Sequence, residues 1–293
     1  MKGGRVNCDK KKTSAFDVIN VTIMLLLMVI FLFPFWMLLT ASFSENALLE
    51  KNGFSIAFQG FTFEAYKFVF DASDVFFHSI FVTIFTSTAT VILSLISCVA
   101  MGYVLSRKYL KARKALNVYV MIPMFFSGGM IPTYLVIRGI GIYNTVWALI
   151  LPAVAGTYNI LLIRNYFYGL SESLEEAALI DGANDLQILV RIFVPLSVPV
   201  MITVGFMTFV GRWNSWLASL LYLSAGNKSL WTLQYVLRQI LTDQKAIFGN
   251  IDGAPLRSAQ NAGIMISVLP LLIIAPIIQK FFVRGVTAGA VKG

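Results

Sequence analysis

The sequence predicts an all-α, polytopic membrane protein with six transmembrane helices, and three observations predict it. Hydrophobic residues make up 58% and charged residues 13% of 293, with a mean hydropathy of +0.78. Several apolar runs reach the ~20 residues that a helix needs to cross a bilayer. Charged residues avoid those runs and gather between them. The net charge of +9, from 23 basic and 14 acidic residues, would suit nucleic acid. In a membrane chain, however, the placement of charge says more than its sum. We expect membrane lipid and no nucleic acid as partner. The two cysteines, Cys8 and Cys98, lack the pattern of a disulfide scaffold or a metal site.

The elements follow in order. Residues 1–17 are a basic cytoplasmic leader carrying Lys2, Arg5, Lys10, Lys11 and Lys12. The run from Val18 to Ala41 is longer than the ~7–15 residues of a signal h-region, so it is a first span that stays in place. Pro34 is expected to kink it. Residues 42–75 form a polar, acid-rich external loop. The second span, 76–106, is rich in the Ser, Thr, Ala and Gly that let membrane helices approach closely. The third span, 117–137, is interrupted by Ser127, Gly128, Gly129 and Pro132. A fourth covers 145–167 and a fifth 192–223. The second external loop, 224–258, is expected to hold a helix near 230–241. A sixth span, 262–282, and a tail, 283–293, complete a membrane domain of 18–282.

Six spans place both termini on one side. The leader, the 107–114 loop, Arg164, Arg191 and the C-terminal end (Lys280, Arg284 and Lys292) hold 15 of the 23 basic residues. The positive-inside rule assigns that side, with both termini, to the cytoplasm. Residues 171–191, a polar elbow between the fourth and fifth spans, lie on it too. The elbow reads as two short helices broken at Gly182. Ser173 and Glu176 have the spacing of a capping box, Gly182 can end the first helix, and Asn184 or Asp185 can start the second. Such an acidic elbow needs a docking partner to explain it.

Its residues also carry a resemblance. Glu176-Ala177-Ala178, three residues, Gly182, nine residues and Ile192-Phe193-Val194-Pro195 resemble the EAA loop of bacterial ATP-binding cassette (ABC) importer permeases, pattern EAA-x3-G-x9-I-x-L-P. Only Val194 departs from it. Asp181, the PLSVP ending and the tail GVTAGAVKG are similar to the carbohydrate-uptake, MalG-like branch. Ser127–Leu135, SGGMIPTYL, resembles a subgroup that imports oligosaccharides of uronate-rich polysaccharides such as alginate or pectin.

The resemblance implies a type I ABC importer (MetI/MalG-like) fold in the bacterial cytoplasmic (inner) membrane, whose elbow is a coupling helix. ATPase-coupling residues would be Glu175, Glu176, Ala177, Ala178, Asp181 and Gly182. Gly285, Thr287, Ala288, Gly289 and Lys292 would make an ATPase-contacting tail, although so Gly- and Ala-rich a segment should be disordered by itself. Partners would be a homologous six-span permease forming a heterodimer, two cytoplasmic ABC ATPases, an extracytoplasmic solute-binding protein and an oligosaccharide. The chain has no G-x-x-x-x-G-K-[ST] loop, so it is expected to be no enzyme and to hold no cofactor. ATP and Mg would sit on the ATPase subunits.

For the substrate pathway, Arg212, Trp213, Asn214 and Trp216 are the candidates, because a charge inside a span normally faces a cavity, a partner or an interface. The tryptophans could stack on sugar rings, and Arg212 could balance an anionic one. The competing reading is an arginine snorkelling to an aromatic belt. Gly128 and Gly129 mark either an unwound segment lining a cavity or close helix packing. His78, the single histidine, suits the outer interface. Importers of other solutes (polyamine, phosphate, amino acid) remain alternatives. A proton-driven carrier fits less well, since the carboxylates avoid the spans.

Overall fold

The structure is a computed structural model that describes residues 15–71, 74–243, 245–248 and 255–290, with side chains for all but 245, 246 and 280–290. The described residues are mostly helical and form no strand, and two compact units divide the chain: Met1–Lys67 with Pro255–Met265, and Phe68–Ala254 with Ile266–Gly293. In chain order the helices are α1 (Ala15–Ser42), α2 (Asn46–Asn52), α3 (Glu64–Asp71), α4 (Asp74–Ser106), α5 (Arg113–Phe125), α6 (Met130–Gly139), α7 (Val146–Ile150) and α8 (Thr157–Tyr168). They continue as α9 (Glu172–Ile180), α10 (Asp185–Ile188), α11 (Val194–Leu196), α12 (Val198–Trp213), α13 (Leu217–Tyr222), α14 (Leu233–Thr242), α15 (Lys245–Phe248) and α16 (Leu256–Ala290).

Three of these helices are long and apolar enough to span a membrane alone: α1, α4 and Leu256–Gln279 of α16. Three bent pairs supply the rest. α5 and α6 meet at 113°, Val146–Ala153 and α8 at 44°, and Asp185–Leu196 and α12 at 79°. Six spans therefore fit, but half of them are broken. The breaks have local causes. Gly129 adopts φ +83° between α5 and α6, a conformation that costs an L side chain dearly. Before α12, Pro195 and Pro199 withhold backbone donors from the preceding turns. The helix widens into a π-turn at Leu189–Phe193 and bends at Ser197. The expected fifth span thus begins inside the elbow: α10 runs through the π-turn into α11 without a break.

In the first unit, α1 runs unbroken through Pro34 and is exposed along 15–36. Its far end is fastened by Trp36 Nε1, which donates to the Ile56 carbonyl at 2.9 Å, and by Thr40 Oγ1, which donates to Ser55 O at 2.7 Å. The loop that follows folds around Phe43, whose ring meets Phe61 at 5.5 Å and Tyr66 at 4.7 Å. Asn46 Oδ1 accepts from the backbone of Arg257 and Ser258, satisfying donors at the start of α16.

The second unit is built on α4. Ser79, Thr83, Thr90, Ser94, Cys98, Gly102 and Ser106 are buried along one stripe, against which α8 and α12 pack. Small residues let the axes approach: a Cβ on Gly102 would lie 3.0 Å from Ile163 Cγ2 and 3.1 Å from the Arg164 backbone nitrogen. The buried threonines return their hydroxyls to carbonyls one turn back, as Thr90 does to Thr86 O at 2.7 Å. At the other end of the stripe, Leu233 N donates to Thr83 Oγ1 at 2.7 Å. That bond seats α14, the helix expected in the second external loop.

Candidate functional site

The elbow is two helices, as its sequence implied, but its caps differ. Ser171, not Ser173, is the N-cap of α9, and its side chain makes no capping bond; it pairs with the Ser173 hydroxyl at 2.7 Å. The capping box falls on α10 instead: Asn184 accepts from Gln187 N, and Gln187 Oε1 accepts from Asn184 N, both at 2.9 Å. Gly182 takes φ +80°. Gly182 N donates to Leu179 O at 3.0 Å and Ala183 N to Ala178 O at 2.9 Å, the paired bonds of a Schellman ending.

The residues expected to face a partner divide into two groups. Glu176, Ala177, Asp181 and Gly182 are exposed, and Glu176 has no ion-pair partner among the described residues. Around them lie exposed Leu174, Leu179, Leu186 and Ile180, the last 86% exposed. This is an apolar knuckle with a free carboxylate at its rim. Ala178 and Glu175 point the other way. Ala178 is buried in the cluster containing Ile188 and Phe193, with Ala183 against it, so its small size lets α9 settle on its own chain. Glu175 is spent inside the molecule, where it accepts from Arg107 Nη1.

Arg107 is only 6% exposed. Its guanidinium lies between the rings of Tyr103 (4.4 Å) and Phe193 (4.5 Å), and Nε and Nη2 donate to Ser106 Oγ at 3.1 and 2.9 Å. Removing one partner of so enclosed a pair costs on the order of 3–5 kcal/mol, because the other charge is stranded. Nearby, Tyr109 donates to Asp185 Oδ1 at 3.0 Å. Burial first, and the Asp185 carboxylate second, push the Tyr109 phenol above its ordinary range, so it remains a donor at physiological pH. Lys108 pairs with Glu172 at the exposed rim.

The pathway candidates are partly reassigned. Trp213 is 1% exposed, stacked on Phe209 at 5.7 Å and donating through Nε1 to Ser267 O at 3.0 Å. A ring so enclosed is a packing residue and cannot meet a sugar. Trp216 has one face covered by the Arg238 guanidinium at 3.6 Å. Arg212 neither snorkels nor stands free, since Nη2 caps the end of α7 through Leu149 O at 2.7 Å. Asn214 is exposed beyond α12. Gly128 and Gly129 are exposed, and a Cβ on Gly129 would meet nothing within 4 Å, so within this chain they break a span rather than pack one. His78 lines a recess of about 520 Å³ with Asp74 and Lys228. The backbone of Gly285, Thr287, Ala288 and Gly289 continues α16 as helix rather than disorder, because extending an existing helix costs far less than starting one. Lys292, like Cys8, lies outside the described residues.

Residues 114–288 match the sequence model of a family described as the binding-protein-dependent transport system inner membrane component. The chain belongs to that family. It is the membrane permease subunit of an ABC importer. Protein LplC of Bacillus subtilis (strain 168) is 38% identical to it over 97% of each chain. The polygalacturonan/rhamnogalacturonan transport system permease protein YtcP of the same organism is 34% identical over 96% of this chain and all of its own. Among solved structures, a bacterial ABC transporter involved in the import of the acidic polysaccharide alginate superposes with a TM-score of 0.84, at 28% identity, over 93% of this permease and 98% of that chain.

Two features of the permease escaped sequence reasoning. The partnership of Arg107 with Glu175 bridges 68 positions, and no local spacing announces it. Arg238 on Trp216 is similar: an isolated arginine in a loop helix, given meaning only by what folds beneath it.

Proposed function

We propose that this permease carries an acidic oligosaccharide across the cytoplasmic membrane by alternating access, driven by ATP hydrolysed on partner subunits. The observation that carries the substrate class is full-length similarity to proteins named for polygalacturonan/rhamnogalacturonan transport and for alginate import. The charge pattern supports it. Between residues 115 and 242 every carboxylate sits in the elbow, while Arg138, Arg212, Lys228 and Arg238 stand at the outer ends of the spans or beyond. Arg138 lies over Tyr134 and Tyr143, and Arg238 over Trp216. A guanidinium laid on an aromatic ring keeps its N–H edge free for a carboxylate.

Six spans are half a pathway in this architecture, so a homologous permease completes it, and a solute-binding protein delivers sugar from outside. Both termini lie in the cytoplasm. The exposed knuckle of α9 enters a cleft of the ATPase, where Glu176 meets a basic side chain and Ala177 permits close approach. Asp181 and Gly182 shape the turn at its tip, and the end of α16 contributes a second ATPase contact. ATP and Mg belong to those subunits. The test is Glu176→Lys, which reverses the charge without altering the fold of α9. ATPase recovered with the tagged permease should fall by about tenfold, the scale of one charge-assisted hydrogen bond exchanged for repulsion. Unchanged recovery and unchanged sugar-stimulated hydrolysis would remove the docking role. The substrate class is tested by uptake of uronate oligomers against their carboxyl-reduced, neutral counterparts: equal uptake would exclude charge recognition.

A further inference from the structure

The elbow is joined by the chain itself to the fourth and fifth spans, yet the structure fastens it a third time, to the second. Taking the docking of α9 on the ATPase from the function proposed above, we propose that Arg107 is a positioning residue for energy coupling. It locks the elbow to the cytoplasmic end of α4, so that movement imposed on α9 is passed to α4 instead of being absorbed by the turns on either side of it.

The geometry at Arg107 is unlike that of a charge-balancing surface arginine. A basic residue at the end of a span has water within reach and ordinarily extends into it. Arg107 turns inward. Its partners come from every part that must move together: Tyr103 and Ser106 from α4, Glu175 from α9 and Phe193 from the π-turn leading to the fifth span. Phe167 of α8 brings in the fourth span, its ring 6.3 Å from Tyr103 and 5.4 Å from Phe193. Three elements therefore meet on one planar cation, and Phe167 joins a fourth to the two rings that enclose it.

Lysine would supply the charge, but neither two flat faces nor a fork of directed N–H groups. The neighbouring contacts are graded in strength. Tyr109 ties the second half of the elbow through Asp185. Lys108–Glu172 is 69% and 61% exposed at its two ends, and so exposed a pair contributes little in salt. Of the three contacts, Arg107–Glu175 is the enclosed one.

The experiment uses the whole transporter, reconstituted with its partner permease, ATPases and binding protein. Arg107→Met, Arg107→Lys and Glu175→Gln are compared with the wild type. Three quantities are read: ATPase retained on the tagged permease, hydrolysis stimulated by sugar-loaded binding protein, and sugar imported per ATP. With Arg107→Met, retained ATPase should stay near the wild-type amount, while stimulation and sugar per ATP each fall about tenfold, within the usual span of coupling between two sites. Arg107→Lys and Glu175→Gln, which keep a charge or an acceptor, should fall by about threefold. If Arg107→Met fails to assemble, Glu175→Gln carries the test.

Wild-type stimulation and sugar per ATP in Arg107→Met, or in Glu175→Gln if only that one assembles, would overturn the proposal. So would a loss of ATPase retention matching the loss of hydrolysis, since the pair would then only shape the docking surface. Failure of docking itself shows elsewhere, as ATPase retained by Glu176→Lys in the same assay.

Discussion

Asn144 has a left-handed backbone, φ 59°, with no glycine to excuse it. Its side chain explains the conformation. Oδ1 accepts from Ser224 N at 3.0 Å, Ser224 Oγ at 3.2 Å and Asn227 Nδ2 at 3.1 Å, while its own N–H donates to Tyr222 O at 2.8 Å. One residue thus clasps the connection after α6 to the end of α13. Asn144→Gly keeps the backbone freedom but strands those donors, and should cost about 1–3 kcal/mol. Asn144→Ala should cost roughly 1–2 kcal/mol more, from the left-handed penalty. Thermal unfolding in detergent ranks the three proteins, and a glycine variant as stable as the wild type would dismiss the clasp. Arg238 makes a different kind of prediction. If its edge meets a substrate carboxylate, Arg238→Gln should raise KM for an acidic oligosaccharide by about tenfold, the worth of one charge-assisted bond. Uptake of a neutral oligosaccharide should not change, and equal effects on both sugars would make Arg238 structural.

At the scale of elements, the elbow was legible because its instructions are local. Glycine is the residue that takes φ +80° without strain, and a Cβ on Gly182 would meet nothing within 4 Å. Conformation alone therefore opposes substitution there. Gly182→Ala should destabilise the end of α9 by about 1–2 kcal/mol, and Gly182→Asn by less, since asparagine tolerates the left-handed region. ATPase retention and thermal unfolding measured together would expose the error if alanine proved harmless to both. The third-span break was legible for the same reason, in Ser127-Gly128-Gly129. The capping box was misplaced because Ser173/Glu176 and Asn184/Gln187 both satisfy the spacing, and spacing does not choose between them. Where α9 begins is decided by packing, which buries Ala178 and turns Glu175 toward Arg107. Trp213 was misjudged likewise. A tryptophan beside a membrane arginine suits a binding site or a core, and only the carbonyl of Ser267, 54 positions away, settles the matter.

At the scale of the whole molecule, the orientation proposed for the permease rests on where the charges lie along its sequence. With six spans, the sequence would carry the basic leader, the 107–114 loop and the elbow on one side, which the positive-inside rule would assign to the cytoplasm. Arg107 complicates the count, because a buried and paired arginine is less free to report on the membrane potential than a solvated one. The proposed orientation does not depend on it, since Lys108, Lys111, Arg113 and Lys114 occupy the same loop. Lys111 is exposed there, and Ala225 is exposed beyond α13, in the loop proposed to lie outside the membrane. In a Cys8→Ser background, which leaves buried Cys98 as the remaining native thiol, Ala225→Cys should react with a membrane-impermeant maleimide in intact right-side-out vesicles. Lys111→Cys should react only after the vesicles are opened. The reverse pattern would invert the topology and place the elbow away from ATP, taking the coupling role of α9 and of Arg107 with it.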